Sequence, residues 1–134
     1  MRKSGMAGFA IAVAGIVLAL SGFGPDAASA AQPGSAKNER PDAFKLCMGC
    51  HSTEPGKHIF GPSLAGIAGR KAGSLPGFSY SSALKNSGLT WNEANLERWL
   101  TSPQKTVPGT RMPFTGISDP AKRQEVVRYL LTLQ

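Results

Sequence analysis

Cys47-Met48-Gly49-Cys50-His51 is a C-x-x-C-H pentapeptide. Its two thiols stand one helical turn apart, a spacing at which both can add to the vinyl groups of one haem and leave His51 beneath the iron. An imidazole binds iron in its neutral form, and its second ring N–H then needs an acceptor to fix its orientation. Three other uses of the same residues compete. A thioredoxin-like redox pair opens a helix after a strand, and no βαβ pattern surrounds residues 47–51. A structural zinc site needs four ligands, yet the chain owns only two Cys and two His, and His58 follows His51 too closely for finger spacing. A local disulfide leaves the adjoining histidine without a reason.

A haem iron has a second axial position, for which the chain offers His58, Met112 and Met48. Met48 lies inside the motif and is too close to reach round. Met112 sits in Pro108-Gly109-Thr110-Arg111-Met112-Pro113-Phe114, where two prolines and a glycine hold a non-helical loop that can present a thioether. Core filling is the ordinary use of a lone methionine, and the flanking prolines argue against a packed helix face here.

Upstream, Arg2 and Lys3 precede an apolar run from Ala7 to Leu20, followed by Gly22, Gly24, Pro25 and the small-x-small triplet Ala28-Ser29-Ala30. That is the pattern of a secretory leader cut after Ala30, so residues 1–30 are expected to be a signal peptide and the mature protein periplasmic. An uncleaved membrane anchor is the rival, because Ser4–Pro25 carries no charge over roughly the length of a spanning helix. Removing Arg2, Lys3 and Asp26 with the leader lowers the net charge from +7 to +6. Such a balance favours acidic or membrane-surface partners at long range, or is scattered solvated charge with no docking role.

What remains is one small domain. Residues 31–40 read as a polar, mobile lead-in, and 41–134 as the folded unit. The 16 Gly and 10 Pro, with only 17% charged residues, point to loops rather than to long regular elements. A first helix is expected from about Pro41, bringing Phe44 and Cys47 to one face. Residues 52–79 have no sustained period and form a loop that needs something to wrap; Pro62, Leu64, Ile67 and Phe78 can pack on a haem, with glycines 61, 66 and 69 allowing close approach. Ser79 or Ser81 can cap a short helix over 82–87, stopped by Gly88. Thr90-x-x-Glu93 reads as a capping box opening a helix to Ser102 that ends at Pro103. Asp119 and Pro120 start the last helix, whose stripe of Val126, Val127, Tyr129, Leu130 and Leu133 is expected to cross the first. The fold class is therefore all-α.

With these residues in view, the chain resembles class I cytochrome c, especially the mitochondrial-type proteins and their bacterial relatives, over most of residues 41–133. The resemblance implies terminal helices crossing around one covalent haem c. Cys47 and Cys50 are similar to the thioether pair, His51 to the proximal ligand, Pro62 to the acceptor of its ring N–H, and Met112 to the distal ligand. Arg70, Tyr80, Trp91 and Thr110 resemble the partners of the haem propionates. Buried propionates need hydrogen bonds, and Arg70, Tyr80 and Trp91 are suited donors; for Tyr80 and Trp91 plain core filling is the other reading, and for Arg70 a solvated loop charge. His58 falls at a position that ties two loops together. Phe114 is similar to the aromatic beside the haem edge, and Tyr129 to the one where the terminal helices cross.

Departures matter as well. Leu84 stands where the mitochondrial form has an asparagine, and Trp99 where it has a tyrosine. Leu46, Ile59, Gln104, Ser118 and Asp119 occupy positions that are lysines in the mitochondrial docking ring, whereas Lys105 and Arg111 keep the charge. The resemblance implies a monomeric one-electron carrier, not an enzyme. It would meet donor and acceptor proteins transiently at the haem edge near Cys47, Ile59 and Phe114, with no nucleic-acid partner. The rivals are a membrane-tethered subunit and, with Met112 displaced, a ligand-binding or peroxidase haem protein.

Overall fold

The computed structural model describes residues 39–134. The leader, its cleavage point and most of the lead-in lie outside the described residues. Among those described, the chain is helical with no strand, and two isolated β-bridges, His51 with His58 and Lys71 with Thr90, stitch its loops.

Pro41 is extended and caps a single 3-10 turn, Asp42–Phe44, that runs directly into α1, Lys45–Met48. The first helix is therefore short, and its α-helical part holds only Cys47 and Met48 of the motif. No regular element follows until α2, Ser82–Lys85, where the Ser81 side chain accepts the Leu84 N–H. α3 spans Glu93–Thr101, α4 Pro103–Thr106 and α5 Pro120–Leu130.

Two helix-boundary signals read from sequence act differently in the structure. Thr90 does not cap α3: it is held in the bridge to Lys71, and its carbonyl accepts from the Asn95 side chain, so the cap passes to Asn92, whose Oδ1 accepts the Asn95 N–H at 2.9 Å. Pro103 does not merely stop a helix; lacking an N–H, it occupies the first position of α4, where none is needed. At α5 the sequence signal holds, with Asp119 accepting from Ala121 and Lys122 and Pro120 next in line.

α5 buries Val126, Val127 and Leu130. It packs on α3 and on the 3-10 turn, so the two ends of the domain meet. There the fully buried Phe44 ring sets its edge against Tyr129 at 4.8 Å and 70°. Arg123 joins α5 to α3 through Glu97 at 2.7 Å and also donates to the Ile117 carbonyl. The chain reaches α5 by passing tightly over the end of α3. Ile117 donates its N–H to Leu100, and a Cβ on Gly116, whose φ is +112°, would lie 2.0 Å from the Thr101 carbonyl.

Candidate functional site

The loop between α1 and α2 and the segment between α4 and α5 enclose a cavity of about 550 Å³. Leu64, Ile67, Leu84, Trp91, Leu96, Trp99, Leu100 and Leu130 belong both to its wall and to the hydrophobic core. The core is thus built around the cavity rather than beside it.

The pentapeptide forms one edge. After α1 the backbone makes a last helical turn, with the N–H groups of Cys50 and His51 both donating to the Cys47 carbonyl. Both cysteines line the cavity as free thiols. Burial, and then the neighbouring Cys50, push the Cys47 thiol up to about 11, so at neutral pH the free side chain is a protonated thiol. His51 donates Nδ1–H to the Pro62 carbonyl at 2.7 Å, because a carbonyl can only accept. Its Nε2 is left as the lone-pair nitrogen. Burial lowers the tendency of this ring to protonate, against the opposing pull of the Pro62 bond. A Cβ on Gly61 would lie 2.4 Å from the His51 ring, so only glycine permits this approach.

A short ladder brings the polar groups together. Ala72 donates to Leu89, Trp91 to the Arg70 carbonyl and Gly69 to the Trp91 carbonyl, which sets Arg70 and Trp91 side by side on the wall. The Arg70 guanidinium donates to the carbonyls of Ala65 at 2.7 Å and Ser63 at 3.2 Å, leaving part of its five N–H donors for the cavity. It is therefore a brace of the loop, not the solvated charge that was the rival reading. Tyr80 is half-buried; burial raises its phenol, against the opposing charge of Arg70. Trp91 meets Trp99 edge to face at 5.2 Å. His58 accepts the Ser63 N–H on Nδ1, and its Nε2–H points to the Pro76 carbonyl at 3.2 Å, tying two loops.

Met112, Thr110 and Phe114 line the cavity that His51 also lines. All nine residues singled out from sequence, Cys47, Cys50, His51, Pro62, Arg70, Tyr80, Trp91, Thr110 and Met112, thus lie on one wall system. Two residues carry roles the sequence did not disclose. Gln104, counted only as a missing lysine, donates Nε2–H to the carbonyls of Thr110 and Met112, at 2.9 and 3.2 Å. Arg111, counted only as retained charge, donates to the Ser79 carbonyl across the mouth.

Four large apolar side chains stay exposed around the motif: Leu46 at 63%, Met48 at 42%, Ile59 at 46% and Phe60 at 82%. Leu46 and Phe60 also line the cavity and so border its opening. Two of the nearby lysines are paired with acidic neighbours, Lys45 with Asp42 at 2.8 Å and Lys57 with Glu54 at 2.9 Å, while Arg111 keeps its charge at the mouth.

A flat apolar macrocycle with two propionates, bonded through two thiols and held by an imidazole, fits these walls: apolar faces, a polar rim, free thiols and a histidine cradle no Cβ could share. The family model for cytochrome c matches residues 41–134. The chain is 47% identical over 95 residues to "Cytochrome c2 iso-2" of Magnetospirillum fulvum, covering 71% of this chain and 99% of that protein. It is 52% identical over 95 residues to "Cytochrome c2" of Rhodoblastus acidophilus, covering 67% of this chain and 89% of that one. A solved structure, "cytochrome cH from Methylobacterium extorquens", superposes with a TM-score of 0.64 at 50% identity, over 67% of this chain and 91% of that chain. Motif, cavity and likeness agree: the chain belongs to the cytochrome c family, with the class I fold and one covalently attached haem c.

Proposed function

We propose that this chain is a monohaem one-electron carrier whose haem c is bonded through Cys47 and Cys50 and held between His51 and Met112. The observation that carries the reading is the His51 ring, packed on Gly61 and fixed by Pro62, on the same cavity as the Met112 loop. Held by His51 and Met112, the bound group would supply an iron that changes its charge by one electron and would have no open position for a substrate. The chain's own residues do the rest. His51 keeps Nε2 free because Nδ1–H is committed to Pro62. The apolar walls exclude water and disfavour the extra charge of the oxidised state, and a thioether ligand acts in the same direction, so the potential is positive. Arg70, Tyr80, Trp91 and Thr110 form the polar rim that receives the propionates.

Leu46, Met48, Ile59 and Phe60 make the docking face an apolar one, meeting redox proteins over the small area of transient electron-transfer contacts. Because the flanking Lys45 and Lys57 are self-paired and leave Arg111 as the charge at the mouth, salt should matter little: the second-order rate with a partner is expected to change less than about threefold between low and physiological ionic strength. Stopped-flow over a salt series checks this, and a steep fall with salt would instead assign docking to the exposed lysines. The chain is read as a monomer made with a leader removed after Ala30, residues 31–40 as a lead-in, and 41–134 as the haem domain in the periplasm. Intact mass and visible spectra of the exported protein test the whole reading. The expected result is Ala31–Gln134 plus one haem, low-spin, with a thioether–iron charge-transfer band; a colourless product at bare-chain mass sinks it.

A further inference from the structure

The segment that carries Met112 cannot satisfy its own backbone. Between Val107 and Asp119 there is no helix or strand, and Pro108 and Pro113 remove two donors, so the carbonyls of Thr110 and Met112 must be met from outside. Gln104 meets both. Its single amide nitrogen donates to the Thr110 carbonyl at 2.9 Å and to the Met112 carbonyl at 3.2 Å, spanning the residue on either side of Arg111.

The base from which Gln104 reaches is itself rigid. It is the second residue of α4, whose first residue, Pro103, is fully buried. The Thr106 hydroxyl ties that turn back to the carbonyls of Arg98 and Ser102, at 2.8 and 2.9 Å, and so to the end of α3. An amide on a fixed turn, bonded to the carbonyl of Met112 itself, sets where that residue's Cα stands. The position gains a task when it loses a docking charge.

Resting on the reading of Met112 as the distal ligand, we infer that Gln104 is the positioning residue of the distal loop, holding the Met112 thioether in place through the backbone of residues 110 and 112. Gln104→Met removes both donors at equal length, and Gln104→Glu turns a carboxylate toward two carbonyls. In the oxidised holoprotein each opens the loop more often. An external ligand that needs the open form then binds more tightly in proportion. Titration with imidazole, followed in the visible spectrum, is expected to show about a ten-fold rise in affinity for Gln104→Met and a larger one for Gln104→Glu, the size expected for losing one or two hydrogen bonds. The thioether–iron band should weaken in the same order.

Tyr129→Leu, which removes the edge contact with Phe44 where the two ends of the domain meet, controls for general loosening: it should lower the melting temperature and leave imidazole affinity alone. Unchanged imidazole affinity in both Gln104 variants, or an equal rise in Tyr129→Leu, overturns the positioning role. Met112→Ala separates that failure from failure of the ligand reading. If Met112→Ala binds imidazole no better than wild type, Met112 is not the ligand and the inference falls with it; if it binds far better while the Gln104 variants do not, only the positioning role is lost.

Discussion

Replacing Cys47 and Cys50 together by alanine is expected to leave almost no folded protein. The reason lies in which residues the cavity shares with the core. Leu64, Leu84, Trp91, Leu96, Trp99 and Leu100 all face a volume of about 550 Å³, and without a bonded occupant those side chains lose their packing partners. At about 24 cal/mol per Å³ of cavity, the forfeited contacts come to about 13 kcal/mol, comparable to the entire stability of a small domain. Residues 52–79 lose what they fold around at the same time, and their few tethers, such as His58 to Pro76 and Arg70 to Ala65, are single hydrogen bonds. Far-ultraviolet circular dichroism of the secreted variant should show no cooperative melt. A melt within a few degrees of the wild type would mean that the apolar walls close on themselves and that the bonded group is dispensable for folding.

Much of this architecture could be read from the chain before its structure. The pentapeptide announces its chemistry because sulfur, sulfur and imidazole at that spacing suit few other tasks. Asp119-Pro120 announced α5 because a carboxylate cap and a proline at the first helical position are local devices that work irrespective of surroundings. Thr90 failed as a cap for the complementary reason. Its signal was local, but a partner 19 residues upstream, Lys71, claims its backbone in a bridge, and no pattern within α3 could reveal that. Gln104 shows the other limit. A glutamine side chain has no periodicity and no motif; its bonds to Thr110 and Met112 exist only because the buried ring of Pro103 sets the direction of α4. Sequence comparison by type saw a lysine lost, whereas the fold uses the amide. The apolar face of Leu46, Ile59 and Phe60 was partly legible for the same reason: the missing lysines were visible, while the pairing of Lys45 and Lys57 with their acidic neighbours needed coordinates.

Met112→Ala should separate folding from function. The thioether bonds through Cys47 and Cys50 do not depend on residue 112, and Met112 is only half-buried, so its truncation removes few core contacts. The Gln104 bonds run to backbone carbonyls and persist in the variant, keeping the segment close to its place. Haem should therefore remain attached and the domain folded. What changes is the sixth position of the iron. Axial ligands move haem potentials over about 0.8 V in all, and a thioether favours the reduced state, so its loss is expected to lower the potential on the order of 0.1–0.3 V. The same loss exposes the iron to carbon monoxide in the reduced protein and to imidazole in the oxidised one, and abolishes the thioether–iron band. Redox titration and ligand binding on one sample read these effects together. A potential that stays where it was, with the band intact, would remove Met112 from the iron and return His58 to consideration. The structure weighs against that substitute, since both His58 ring nitrogens are already committed, to Ser63 and to Pro76, in a loop the ring holds closed.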